Sequence, residues 1–373
     1  FYKLNLNLYL IPLLHKRVEI KNLKLIKSLI NLESNSGKSN YKLGSNVEKN
    51  TEINQEESQS NFSIDFKKIE VIDGRINYKN RTKDIDFSLN DVDAGIQIKQ
   101  SSLPKKIIIE NLKGKLANSP INLEATIVDL SDPHFDFKLR SNLDAKDISE
   151  ILSNKSLKLT GKLKANLIGK NIKLTTNLKN MNIIGDIELS SFGLENQNFK
   201  ERFNGIIKLK DNKVIANNFE IDTLSSKIDT KLEINDWKDM LLSLLDNKQK
   251  LPGEIKLDLR AEKLDFNKLF TNSIQKETNR VSSIIKKDKS KFKLGYYPEF
   301  KLSTRLKVDE FYYQQSKYNN LNGDFKVDNS QFIINKLNIS GDNAQAKIKG
   351  KVDYKDLRNS GDYEDLIFDL DLA

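Results

Sequence analysis

The stretch that decides the fold runs from Leu103 to Leu152 and reads LPKKIIIENLKGKLANSPINLEATIVDLSDPHFDFKLRSNLDAKDISEIL. Its apolar residues occupy alternate positions in three runs, with Lys, Asp, Glu and Asn between them. Because a strand sends successive side chains to opposite faces, this period of two predicts strands with one apolar and one polar face. After Asp144 the apolar spacing becomes helical, which predicts a short helix near 146–152. Turn-forming residues between the runs predict turns at Gly114, 118–120 and 131–133.

The same order of elements returns twice along the chain. Copies that begin at Ile107, Val214 and Phe332 are spaced by 107 and 118 residues. Repeated sheet-forming units usually stack into one continuous body. The sequence therefore predicts N-terminal entry strands with a polar loop, followed by three β repeats, with the bounds 1–61, 62–156, 157–290 and 291–373. Helical spacing of apolar residues predicts two further short helices, near 236–246 and 263–286.

Three such repeats contain more strands than the roughly ten that an open twisted sheet holds before it curls or splits. One face is apolar along nearly every strand, and no long amphipathic helices alternate with the strands to cover that face. The sequence therefore predicts a mainly β fold, an elongated and curled antiparallel sheet of repeated units that forms an open apolar groove. Alternate positions of a strand share a face, so the predicted groove residues are Ile107, Ile109, Leu123, Ile127, Phe137 and Leu139 in the first repeat and Leu163, Leu167, Leu174, Leu232 and Leu257 in the second.

An open apolar groove is suited to acyl chains, since each buried methylene contributes roughly 0.8 kcal/mol. Lipid headgroups would stay in water at its lip. Two rival interpretations share the same alternation of residues. One is a structural or adhesive β-repeat protein with a closed, dry core, and the other is a membrane β-barrel. The chain lacks the paired aromatic girdles and regular hairpin spacing that a membrane barrel requires, and it contains the predicted helical insert at 236–246.

Residues that carry catalytic or metal chemistry are sparse. His15 and His134 are the only histidines, each without a second histidine at helical spacing, and cysteine is absent. A zinc site therefore has no ligand set, and no phosphate-binding loop or nucleophile elbow is present. Carboxylates such as Asp84 and Asp86 alternate with apolar residues, which places them on the wet face of strands. We predict no catalytic residue, no metal site, no cofactor and no enzymatic activity.

The net charge of the chain is +10, with 62 Lys and Arg against 52 Asp and Glu. Such a balance favours contact with anionic membranes or nucleic acid. The basic residues are nevertheless spread evenly and lack a patch with interleaved aromatic residues, so no nucleic-acid partner is expected. Enrichment in Lys and Asn is also what a biased genome composition produces, with Lys on solvated faces and sheet edges.

The order of these motifs resembles the AsmA family, which is related to bridge-like lipid-transfer proteins. LNLYLIPLLHKRVEIKNLKLIKSLINLE, from Leu6, resembles the segment that follows the membrane anchor of that family. FSIDFKKIEVIDGRINYKNRTKDIDFSLNDVDAGI, from Phe62, resembles the next block, with a turn at Asp73-Gly74. The run from Leu112 to Leu152 resembles the family repeat, and LRAEKLDFNKLF, from Leu259, resembles the ending of that repeat.

The resemblance implies a protein of the bacterial cell envelope, on the periplasmic side. It implies a role in carrying phospholipid between the inner and outer membranes and in supporting outer-membrane assembly. The expected partners are phospholipid or another acyl-chain lipid and the membranes at the ends of the groove. No apolar run of 18 residues occurs in the chain, so the inner-membrane anchor helix of the family is expected upstream of Phe1.

Overall fold

The structure is a computed structural model that describes most of the chain. The described residues are 2–9, 12, 17–35, 38–40, 63–81, 85–99, 106–129, 134–151, 158–173, 181–195, 200–223, 226–245, 250–265, 267, 299–313, 316–329, 331–341, 345–353 and 367–372. Within these ranges the chain forms 21 strands and two short helices. The predicted mainly β fold is therefore confirmed.

The first of two compact units comprises Phe1–Lys155 and Lys162–Ile183. Its elements are β1 (Lys3–Tyr9), β2 (Arg17–Ile26), β3 (Leu29–Asn35), β4 (Lys38–Ser39), β5 (Ser63–Phe66), β6 (Lys68–Asn80), β7 (Ile85–Lys99), β8 (Lys106–Leu116), β9 (Ser119–Val128), β10 (His134–Asp144), α1 (Ala145–Ile151) and most of β11 (Lys158–Lys173). Strands β6 to β11 pair antiparallel, each with the next in sequence. Strands β2 and β3 pair with successive parts of β6, and β1 pairs with β2.

The second compact unit comprises Ser156–Gly161 and Ile184–Ala373. Its elements are β12 (Asn182–Glu195), which begins just before the unit does, β13 (Lys200–Lys210), β14 (Lys213–Asp222), β15 (Lys227–Asn235), α2 (Trp237–Leu245), β16 (Lys250–Asp265), β17 (Glu299–Tyr313), β18 (Ser316–Asn329), β19 (Gln331–Ser340), β20 (Gln345–Asp353) and β21 (Ile367–Leu372). Each strand from β12 to β21 pairs with the next strand in sequence.

Most neighbouring strands pair antiparallel, as predicted, and four pairs of described strands are parallel. Strands β2 and β5, β2 and β6, β3 and β6, and β16 and β17 are parallel pairs. Parallel neighbours need a long connection that brings the chain back to the same end of the sheet. Long stretches of sequence separate the parallel partners, with residues 266–298 between β16 and β17. The alternation of apolar residues does not encode this choice of direction.

Both sheets are open, as predicted. In the first unit, β1 has β2 as its only strand partner among the described residues. In the second unit, β21 likewise pairs with β20 alone within the described part of the chain. Within the described ranges, each of these strands therefore has one edge without a strand partner.

Bulges interrupt the strand register at several places and were not predicted. Asp73, Asn171 and Ser191 have left-handed backbones, with φ of 51°, 52° and 47°. Such a residue strengthens the local twist of the strand and removes its N–H from the regular ladder. A side-chain oxygen on the neighbouring strand accepts that N–H in each case: Asp93 Oδ1 from Asp73 at 3.0 Å, Asp136 Oδ1 from Asn171 at 2.7 Å and Asn204 Oδ1 from Ser191 at 2.6 Å.

Two predicted turns are wrong for reasons that involve these bulges and close packing. Asp73-Gly74 lies inside β6, where the left-handed Asp73 makes a bulge and the chain does not reverse. Gly114 lies inside β8, and a Cβ there would stand 3.3 Å from Cγ2 of the fully buried Val92. The turn near 118–120 is confirmed to within two residues, since β8 ends at Leu116 and β9 begins at Ser119. The predicted turn at 131–133 lies outside the described residues.

Two of the three predicted helices are confirmed, as α1 and α2. The carboxylate of Asp144 accepts the N–H of Lys146 at 2.9 Å and so caps the start of α1. The prediction of a helix at 263–286 is wrong at its start, because Lys263 to Asp265 continue β16. Pairing with β17 decides this conformation over the local spacing. Apart from Asn267, the rest of that stretch lies outside the described residues.

Candidate functional site

The first unit brings eight of the predicted groove residues onto one face of its sheet. Residues that are directly opposite on neighbouring strands share a face. Ile107 is opposite Ile127, and Leu139 is opposite both Leu123 and Leu167. The same pairing and the period of two place the whole set on this face: Ile107, Ile109, Leu123, Ile127, Phe137, Leu139, Leu163 and Leu167. We call it the apolar face of the first unit.

The second unit places its predicted groove residues in the same way. Leu232 on β15 is directly opposite Leu257 on β16. The row continues from Leu257 through Thr304 to Phe325 and Ile334. These residues define the apolar face of the second unit. Leu174, the remaining predicted residue, lies outside the described residues, and a channel shared by both sets stays a prediction.

Each apolar face extends beyond the predicted residues. In the first unit it includes Ile96 and Ile98 of β7, which are opposite Ile109 and Ile107. In the second unit Phe325 and Phe332 stack with ring centroids 5.7 Å apart. They line a hollow of about 160 Å³ together with Leu302, Thr304 and Val327. The same alternation of apolar and polar residues in the sequence could have identified these residues as members of the apolar faces.

The apolar faces are only half-buried. Val92 and Val308 are the only large side chains that the described residues bury completely. At the edge strand β1, the side chains of Leu4 and Leu6 are each 44% exposed. Among the described elements, extensive contacts outside the strand pairs involve only α1 with β10 and β7 and α2 with β16. The described strands therefore contact one another mainly as ladder neighbours within a sheet.

On the opposite face of the second unit, basic and acidic residues alternate across neighbouring strands. Pairing across the strands aligns basic and acidic residues alternately, in the order Lys231, Asp258, Arg305, Asp324 and Lys336. Arg305 donates from Nε and Nη2 to the two carboxylate oxygens of Asp258 at 2.7 and 2.6 Å. This hydrogen-bonded carboxylate raises the pKa of the Arg305 guanidinium above its ordinary value. Because the charges alternate, each basic residue of this row lies beside an acidic one that partly compensates its charge.

Two sizeable hollows among the described residues lie on the polar faces, which the sequence did not predict. One of about 840 Å³ spans the charge row of the second unit. Another of about 610 Å³ lies on the polar face of the first unit, across β8 to β11. Long Lys and Arg side chains stand around both hollows. The candidate site for apolar ligands is therefore the apolar face of each unit, on the side of the sheet opposite these hollows.

The described residues offer little for other kinds of chemistry. Nowhere in the described ranges do three His, Asp or Glu side chains converge in a way that could hold a metal ion. Neither α1 nor α2 combines the length and apolar character that a helix needs to span a membrane. Searches of family models, of curated proteins and of solved structures found no match to this chain. The resemblance to the AsmA family thus stays an expectation from the sequence.

Proposed function

We propose that this chain binds the acyl chains of phospholipids along its apolar faces and conducts them between membranes of the bacterial envelope. The observation that carries the proposal is the partly exposed apolar face of each unit. Monomeric proteins rarely expose a contiguous apolar surface of more than a few hundred Å² unless it binds something. A flexible acyl chain fits such a face, because it adapts to an irregular row of leucines and isoleucines without directional contacts.

The arrangement of equivalent apolar rows favours conduction over tight capture. Rows of similar side chains repeat from strand to strand in each unit, as in the series Ile98, Ile107, Ile127 and Phe135. An acyl chain that moves by one row exchanges one set of aliphatic contacts for another of similar strength. Burial energy of roughly 0.8 kcal/mol per methylene retains the lipid, and the similarity of the rows keeps barriers between them low.

Placement in the envelope rests on the resemblance to the AsmA family. On this proposal the chain acts on the periplasmic side, attached to the inner membrane, and supports assembly of the outer membrane. A structural repeat protein with a dry core is the weaker alternative. A dry core would bury many large side chains completely, whereas Val92 and Val308 alone are so buried in the described part of the chain.

We expect phospholipid to co-purify with the chain when it is expressed in a bacterial envelope and isolated without detergent. Because the lipid is held by its acyl chains, extraction and mass spectrometry should find phospholipids of several headgroup classes in stoichiometric amounts. A fatty-acyl fluorophore should gain intensity on binding and lose it when phospholipid is added. A delipidated chain that binds neither the fluorophore nor phospholipid would contradict the proposal.

A further inference from the structure

We propose that the polar hollow of the first unit, across β8 to β11, binds a phosphate group. Four basic side chains line this hollow against a single acidic one, and three asparagines stand between them. We call it the basic hollow. It lies on the opposite face of the sheet from the apolar face, so the inference does not depend on the proposed lipid function.

Strand register brings the basic groups of this hollow together. Arg140 is directly opposite Asn122 on one side and Asn166 on the other. Lys164 is opposite Asn142, which makes it the diagonal neighbour of Arg140. Diagonal neighbours on adjacent strands are about 7–8 Å apart, which long side chains bridge easily. Arg140 and Lys164 can therefore reach one small anion between them.

Lys113 completes the cluster from β8, opposite Asn122. Because β8 and β10 flank β9, Lys113 and Arg140 lie on opposite sides of Asn122. The basic hollow thus has cations from three of its four strands, β8, β10 and β11. An anion placed over the Asn122 row is within the span of all three long side chains.

Two of the four cations of the basic hollow, Lys113 and Arg140, are not balanced by an ion pair with any described residue. The one acidic group, Asp91, is engaged at 2.9 Å by Lys115 at the rim. Lys113 and Arg140 have no ion pair or side-chain hydrogen bond with any described residue. By contrast, Lys138, on the same strand and face as Arg140, pairs with Glu124 at 3.6 Å. The polar face of the second unit also compensates its cations, through the pair of Arg305 and Asp258.

This combination of groups favours phosphate over carboxylate. A guanidinium donates two parallel hydrogen bonds to the oxygens of a phosphate, and ammonium groups add charge without fixed direction. Each asparagine amide contributes two further N–H donors. A phosphate mono- or diester offers several oxygens to this ring of donors, whereas a carboxylate offers only two. The phosphate can belong to a small soluble molecule or to a phospholipid headgroup.

The test compares Arg140→Gln with Lys138→Gln, which removes the same charge from the same strand and face outside the hollow. Pyrophosphate binding is measured by calorimetry, and binding of phosphatidylglycerol vesicles is measured against phosphatidylcholine vesicles by flotation. Thermal melting confirms that both variants are folded. Loss of one charge-assisted bidentate contact should weaken binding about tenfold or more in Arg140→Gln and change it less than about twofold in Lys138→Gln.

The two probes distinguish the sources of the phosphate. Pyrophosphate binding that Arg140→Gln weakens, without selective vesicle binding, assigns the hollow to a soluble phosphate compound. Selective binding to phosphatidylglycerol vesicles with the same dependence on Arg140 assigns it to a headgroup. Equal weakening by Lys138→Gln shows general charge attraction and overturns the proposal, as does binding of neither probe. Acyl-fluorophore binding is measured in parallel. A chain that binds the fluorophore but no phosphate probe contradicts the phosphate site and leaves the proposed lipid binding intact.

Discussion

Ile109→Asp should destabilise the first unit and abolish acyl-chain binding there, whereas Ile108→Asp should do neither. The two isoleucines are adjacent on β8 and therefore face opposite sides of the sheet. Ile109 is opposite Ile96 and Ala125 on the apolar face, and Ile108 is opposite Gln97 and Thr126 on the polar face. A carboxylate at position 109 loses apolar burial and is partly desolvated. We expect the free energy of unfolding to fall by about 2 to 3 kcal/mol.

The pair is a strict control because the substituted residue, the new residue and the strand are the same. At position 108 the carboxylate meets polar neighbours and solvent, so we expect a loss of less than about 1 kcal/mol. Denaturant unfolding gives the stability of each variant, and the acyl fluorophore gives its binding. Similar losses in both variants would show that the two faces are not distinct in the way that the strand register implies.

Gly253→Ala should destabilise the second unit by about 2 to 4 kcal/mol, measured by denaturant unfolding. Gly253 lies in β16 with φ of 89°, a left-handed conformation that strains any residue with a Cβ. An added Cβ would also meet the carbonyl oxygen of Asn235 and would lie 3.0 Å from Cβ of Asp236. Because both contacts precede α2, the substitution should also disturb the start of that helix.

Gly95→Ala serves as the matched control for a glycine within a strand. Gly95 lies in β7, and a Cβ there would have as its nearest contact the Glu110 carboxylate oxygen at 3.4 Å. The flexible end of a glutamate gives way easily, and alanine restricts the unfolded chain more than glycine does. We expect a change within about 1 kcal/mol of zero. A loss at Gly95 as large as that at Gly253 would contradict the account of strain.

The sequence predicted which residues share a face of a strand. It did not predict the direction of strand pairing or the position of the bulges. Ile107, Leu123 and Leu139 were assigned to one face correctly because period-two alternation is a local property of the strand. The parallel pairing of β16 with β17 depends on contacts between distant residues, which periodicity does not record. Asp73-Gly74 has the composition of a turn, yet it forms a bulge, because the neighbouring Asp93 satisfies the freed N–H.

The basic hollow escaped prediction for a similar reason. Arg140, Lys164 and Lys113 lie on three different strands, and only the register brings them together. In the sequence they read as ordinary polar positions of alternating strands, and even spacing of Lys along the chain conceals the cluster. A register derived from paired apolar residues, such as Leu139 opposite Leu123, would have placed Arg140 opposite Asn122.

The central claim is that acyl chains lie along the apolar face, and photo-crosslinking tests it most directly. A photoreactive phenylalanine analogue is placed at Ile109 or Leu257 on the apolar faces, and at the adjacent Ile108 or Lys256 on the polar faces. Each folded variant is irradiated with phospholipid that carries a label in its acyl chain. The account predicts labelled protein from positions 109 and 257 and little from positions 108 and 256. Equal labelling of both faces, or no labelling at 109 and 257, would contradict it.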